Sequence, residues 1–310
     1  MNSNKKIFSK IGFNYLIYTI LSIIITIIVA NIIVIIKPEI LNDINIATII
    51  TAICNYILPF PILVYLMRKI ESKPIEIHKL DIKTFLKYLC ITFTLMWFGN
   101  VTGIIITSLL GGALQSEISN PIQNLISSTG IWLNILIISL IGPIFEEIIF
   151  RKLLIDRTNR YGAKVSIILS AVTFGLIHGN LNQFCYAFLI GGFFAYVYLK
   201  TGKIIYTIVL HIIINLMGSV VSIFVSDTVQ TIAAGAIDPF NIVAMLIYLM
   251  VIVIALYIGI TSLLKYKQER FNGKLTEISL KNPLGTMFLN YGMVCFIVFF
   301  IVKIAYQAIT

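Results

Sequence analysis

Residues 142–151 read GPIFEEIIFR, from Gly142 to Arg151. They lie within an apolar run, 131–150, that has the length of a membrane span, about 20 residues. Two adjacent carboxylates and a guanidinium at that depth cost several kcal/mol each unless they are paired or hydrated. How the rest of the chain is read depends on why they are kept there.

The surroundings are those of a polytopic membrane protein. Of 310 residues, 59% are hydrophobic and only 12% charged, and the mean hydropathy is +0.98, well above that of a soluble domain. Apolar runs recur at 11–36, 44–67, 84–111, 131–150, 163–178, 182–200, 204–226, 241–264 and 284–305. They define nine candidate transmembrane helices in one all-α domain, 1–310. The first run follows Lys5, Lys6 and Lys10. It is too long for a signal-peptide core and lacks a small-residue cleavage site, so it reads as a span that stays attached. The cysteines, Cys54, Cys90, Cys185 and Cys295, are scattered singly through apolar runs and form no CxxC and no disulfide framework. The longest polar insert, 265–283, is too short to bury a core.

Charge orients these spans. With the N-terminus inside and strict alternation, twenty-one of the 23 Lys and Arg residues fall in inner segments, and only Lys37 and Lys303 fall outside. That asymmetry predicts a cytoplasmic N-terminus and an outer C-terminus. The net charge of +10 therefore reports orientation in the lipid bilayer rather than nucleic-acid binding. The richness in Ile, Asn and Lys is that of an AT-rich genome, which suggests a bacterial plasma membrane.

Of thirteen acidic residues, only Glu146 and Glu147 fall inside an apolar run; of three histidines, His178 and His211 do. Helical spacing sorts them. Glu147 and Arg151 are i,i+4 and ready to pair. Glu146 is rotated by about 100° and has no basic residue at that spacing. Phe174 and His178 are i,i+4, so the ring can wall a pocket beside the imidazole. His211 and Asn215 repeat the spacing and offer two donors on one face. Counting about 1.5 Å per residue from the cytoplasmic ends, His211 lies roughly 10 Å in, Asn215 and Glu147 roughly 15 Å, and His178 roughly 20 Å. The shared layer is thus expected nearer the cytoplasmic side.

A glutamate, two histidines and an asparagine in a water-accessible pocket suit hydrolysis of a peptide bond. Glu146 with His178 can bind a water and take its proton. His211 and Asn215 can donate to the oxyanion, each such donor being typically worth about 3–4 kcal/mol of barrier. Other protease chemistries lack their residues: there is no HExxH, no GxSxG turn and no aspartate in a span. A metal is not favoured, but Zn2+ stays open, because Glu146, His178 and His211 would supply three ligands and an open water position.

The ordered trio Glu146-Glu147-x-x-x-Arg151, Phe174-x-x-x-His178 and His211-x-x-x-Asn215 resembles the CPBP family, which groups CAAX endopeptidases with bacteriocin-processing (Abi) proteins. The resemblance covers about residues 131–220, a catalytic core of helices. It implies Glu146 as the water-activating residue with His178, His211 and Asn215 as oxyanion-binding positions, and Glu147 and Arg151 as a supporting pair, in a glutamate- or metallo-endopeptidase of which the metal-free form is favoured. It also implies a membrane-associated or peptide substrate, with CAAX-type processing, bacteriocin processing or self-immunity as its biological setting.

The same residues admit plainer readings: a structural ion cluster at Glu146, Glu147 and Arg151, a hydrogen-bonded core histidine at His178, an interhelical pair at His211 and Asn215, and packing alone at Phe174. Asn100 and Asn134 read as interhelical hydrogen-bonding groups, and Gly191 with Ala195 as a small-residue packing pair. At the level of function, the alternative is a non-enzymatic membrane scaffold or a proton-coupled transporter built on the same cluster.

Overall fold

The computed structural model describes residues 3–235, 238–265 and 277–309; Lys267, Arg270 and Lys274, counted above among the inner cations, lie outside them. Eight of its helices are long and apolar enough to cross a membrane. They are α1 (Ser3–Ile36), α2 (Ile44–Arg68), α3 (Ile82–Leu114), α5 (Ile131–Thr158), α7 (Leu181–Thr201), α8 (Ile204–Ala233), α9 (Pro239–Leu264) and α11 (Tyr291–Ile309). Three shorter helices join them: α4 (Pro121–Ser128), α6 (Ala163–Ile177) and α10 (Pro283–Phe288).

The nine expected spans thus resolve into eight long helices and one short one. The fifth, α6, has 15 residues, about 22 Å of helix against a hydrocarbon layer of about 30 Å. It begins after Gly162 and ends before Gly179, both at positive φ. The preceding helix compensates: α5 continues to Thr158 and carries Arg151 and Arg157 inside the fold rather than in a loop. The last expected span, 284–305, is two helices. Asn290 ends the first by donating to the Thr286 and Met287 carbonyls and starts the second by accepting from the Met293 amide.

Most starts are capped. Asp43, Asp81, Asn120, Asn180, Asp238 and Asn282 each accept a hydrogen bond from a backbone amide of the first turn, satisfying donors that have no intrahelical partner. Helix α4 lies between the apolar runs 84–111 and 131–150 and is tied down by Asn134. That buried side chain donates to the Ile126 carbonyl and accepts from the Thr129 hydroxyl at 2.7 Å. Asn134 is a hydrogen-bonding group within α4 and α5.

Helix α7 packs along both α6 and α3, and α1 packs along α11. The α1–α11 approach is close because residue 292 is glycine: its amide donates to the Ser9 hydroxyl at 2.9 Å, and a Cβ there would sit 1.8 Å from the Ser9 carbonyl oxygen. Loops carrying the basic residues are knitted together. The Lys73 amide donates to the Asp156 carbonyl, the His78 amide to the Thr201 carbonyl, and the Glu277 and Ile278 amides to the Arg160 carbonyl. Arg160 pairs with Glu71 at 2.6 Å, and Lys73 pairs with Glu277. The hydrogen bond from Lys73 holds the Glu277 carboxyl below the ordinary carboxylate range.

Candidate active site

The α5 helix is not regular where it meets the site. Wider π-type turns at Asn134–Ile141 and Ile148–Leu153 bracket a single α-helical stretch, Gly142–Glu147. Such turns recur at functional positions because they re-aim side chains without ending the helix. Here they leave Glu146 half-buried and Glu147 fully buried, on different sides of α5.

Glu147 is the hub of the buried charge. Its Oε2 lies 3.1 Å from Arg151 Nε and its Oε1 lies 2.9 Å from His211 Nδ1, with all three side chains almost wholly out of solvent. The Arg151 contact is an ion pair rather than an aligned hydrogen bond, and the Arg151 nitrogens find no hydrogen-bond partner among the described residues. Aromatic faces cover the guanidinium instead, at 4.6 Å from the Phe174 ring centre and 5.4 Å from the Phe194 ring centre. Phe174 therefore packs on a cation while also lying edge-to-face with His178 at 4.9 Å and His211 at 5.8 Å. Gly191 makes room for it: a Cβ at that position would come within 2.8 Å of the ring.

Glu146 faces the other way. Its Oε1 accepts from the Tyr56 hydroxyl at 2.9 Å, and its Oε2 lies 3.7 Å from His211 Nε2. His211 thus stands between the two carboxylates, Nδ1 toward Glu147 and Nε2 toward Glu146. His178 closes the end of α6, and its Nδ1 lies 2.7 Å from the Phe174 carbonyl oxygen. A carbonyl only accepts, so Nδ1 carries the hydrogen and Nε2 keeps its lone pair. Asn215 donates to the Ile138 carbonyl at 2.9 Å.

Glu146, His178, His211, Asn215 and Phe174 line one cavity of roughly 820 Å³, together with Asn100. Glu147 and Arg151 stand behind its wall. The tertiary fold therefore brings the four residues that spacing singled out to one cavity and keeps the ion pair out of its lining, with Glu147 bonded to His211 from behind. Sequence reasoning missed Tyr56. Nothing in the spacing joins α2 to α5, and the only local sign is the polar patch Asn55-Tyr56 inside an apolar run. It also missed that Asn215 spends an amide hydrogen on the backbone.

Residues 128–217 match the family model for type II CAAX prenyl endopeptidase Rce1-like proteins. All four cavity residues and the Glu147–Arg151 pair fall in that segment, so the resemblance to the CPBP family is borne out there. The chain is also 32% identical over 127 residues to a Bacillus subtilis (strain 168) protein named "Putative membrane peptidase YdiL". That match covers 40% of this chain and 50% of the relative, so the chain spans about half the length of the curated relative it matches. No solved structure matches the chain significantly.

Among the described residues, no three His, Cys, Asp or Glu side chains gather closely enough to hold a metal ion.

Proposed function

We propose that this chain is an intramembrane endopeptidase in which Glu146 activates the attacking water. The observation that carries this reading is that Glu146 is the one carboxylate among the described residues lining the cavity, and both span histidines line it too. Water held between Glu146 and the free Nε2 of His178 loses a proton to Glu146 as its oxygen bonds to the substrate carbonyl carbon. The carbonyl π electrons move to oxygen and form the oxyanion.

His211 answers that charge. With Nδ1–H directed to Glu147, the neutral ring has only a lone pair at Nε2. The proton collected by Glu146 can pass to it across the 3.7 Å gap, and the doubly protonated ring, facing Glu147, then donates from Nε2 to the oxyanion. The second amide hydrogen of Asn215 is the further donor. Collapse of the intermediate breaks the C–N bond, and the proton leaves with the amine. Buried beside His211, Glu147 and Arg151 fix the ring and touch no substrate.

The narrower readings, CAAX-type cleavage and bacteriocin processing or self-immunity, share this chemistry and differ in what enters the cavity. Metal is not required in this scheme. Wild-type protein and Glu146→Gln, both inserted to equal levels, are compared by mass spectrometry of newly formed peptide N-termini. Products that vanish with Glu146→Gln and persist after thorough chelation support the reading. Products unchanged by the substitution overturn it in favour of the scaffold or transporter alternative, and loss on chelation with rescue by zinc overturns the metal-free step.

A further inference from the structure

Among the described residues, the lining of the cavity runs from the site toward one side of the bundle and not toward the other. Each long helix can be divided into the half near the basic loops and the half near the weakly charged loops, 37–43, 115–130 and 234–238. Thr48 in α2, Asn100 in α3, Gln123 in α4, Gln183 in α7, Ser222 in α8 and Lys303 in α11 all line the cavity, and all lie toward the weakly charged loops or in them. No residue of the basic segments 68–83, 156–164, 200–206 or 277–288 lines it.

Among the described residues, packed side chains fill the space between the site and the basic loops. Phe8, Ile11, Tyr15, Met67, Leu154 and Leu169 have no exposed surface and belong to one continuous core. Tyr15 donates to the Ile149 carbonyl at 2.6 Å and Arg157 Nε to the Met67 carbonyl at 2.6 Å, so the polar groups within that plug are used internally. The hydrogen-bonded clasp of Lys73, Asp156, Arg160 and Glu277 closes over it. On the other side Lys303, the only Lys or Arg among the described lining residues, leans its ammonium over Gly179, next to His178.

We propose that the site is loaded from the extracytoplasmic face, and that its substrate class is a peptide segment lying on that side of the membrane. The orientation follows from the positive charge gathered on the sealed face, and the route follows from where packing leaves space. Depth counted along the helices put the site nearer the cytoplasmic side, but proximity is no guide to access when the intervening layer is packed at interior density. That the occupant is a substrate rests on the endopeptidase reading; the route does not.

The test uses full-length protein in native membranes, with Cys54, Cys90, Cys185 and Cys295 replaced by alanine and single cysteines placed at Gln123, Asn100 and Lys79. A membrane-impermeant maleimide is applied to right-side-out and inverted vesicles. The expected result is labelling of Gln123→Cys and Asn100→Cys from the outer face only, and of Lys79→Cys from the inner face only. Labelling of Gln123→Cys from the inner face overturns the orientation, and labelling of Asn100→Cys from the inner face overturns the route. In a second arm, unmodified protein meets one reporter peptide tethered on either side of the membrane. Cleavage of the outer reporter alone supports the proposal and cleavage of the inner one overturns it. Cleavage of neither, with the labelling pattern intact, removes the endopeptidase reading and leaves the route standing.

Discussion

Asn215 donates its side-chain amide to the Ile138 carbonyl at 2.9 Å, and Ile138 is the residue that Pro143 cannot serve. In the π-type turn before it, the Gly142 amide bonds five residues back to Ile137. The next amide in that register would reach Ile138, but proline has none. An asparagine from α8 supplies a donor in its place, so a residue of the His211-x-x-x-Asn215 motif serves the carbonyl that Pro143, three residues ahead of Glu146, leaves without an amide.

A coupling between the two positions follows. Asn215→Ala leaves the Ile138 carbonyl without its donor and costs about 0.6–1.7 kcal/mol, the range for interhelical hydrogen bonds in membranes. In a Pro143→Ala background, the restored amide takes over and the cost of Asn215→Ala falls toward zero. Detergent-unfolding midpoints of the four proteins in the cycle test this. Cleavage should stay low in the double variant, because the second amide hydrogen of Asn215 is still missing at the oxyanion.

Tyr56 holds Glu146 in place. Tyr56→Phe removes a hydrogen bond to a carboxylate, worth about 1.5–3 kcal/mol, while leaving the ring packed on Phe145 at 5.7 Å. We expect kcat to fall roughly tenfold or more with KM nearly unchanged. A rise in KM at constant kcat would place Tyr56 against substrate instead.

The Glu147–Arg151 pair is fully buried. Arg151→Met leaves Glu147 an uncompensated charge and should destabilise by about 3–5 kcal/mol. Adding Glu147→Gln should restore most of that stability but not activity, because His211 then lacks the carboxylate that fixes its tautomer. Thermal unfolding beside cleavage rates separates the two effects. A double variant as unstable as the single one would refute the pairing account.

Phe174 has no spare room. Gly191→Ala would drive a methyl into its ring, displacing it from Arg151 and His178 at a cost of about 1–3 kcal/mol. Shrinking the ring in Gly191→Ala/Phe174→Leu should recover stability, read from the unfolding midpoint. Equal losses in the single and double variants would mean that the ring position does not matter.

The membrane class, the helix order and the identities of the four cavity residues were legible in the sequence because they depend on composition and on the 3.6-residue period. A lone Glu146 in an apolar run stands out by its transfer cost alone, and i,i+4 spacing pairs Glu147 with Arg151 without knowledge of any other helix. Positions 174 and 178, and 211 and 215, are legible for the same reason. Tertiary structure decided what periodicity cannot carry: that Tyr56 reaches Glu146, that His211 spans both carboxylates, that Asn215 serves the backbone at Pro143, and that α6 stops short. These are contacts between elements far apart in sequence, set by which helices pack together and how their irregular turns aim each side chain. The direction in which the cavity opens belongs there too. Hydropathy records that every span is apolar, but only packing determines which half of the bundle is solid and which half is hollow.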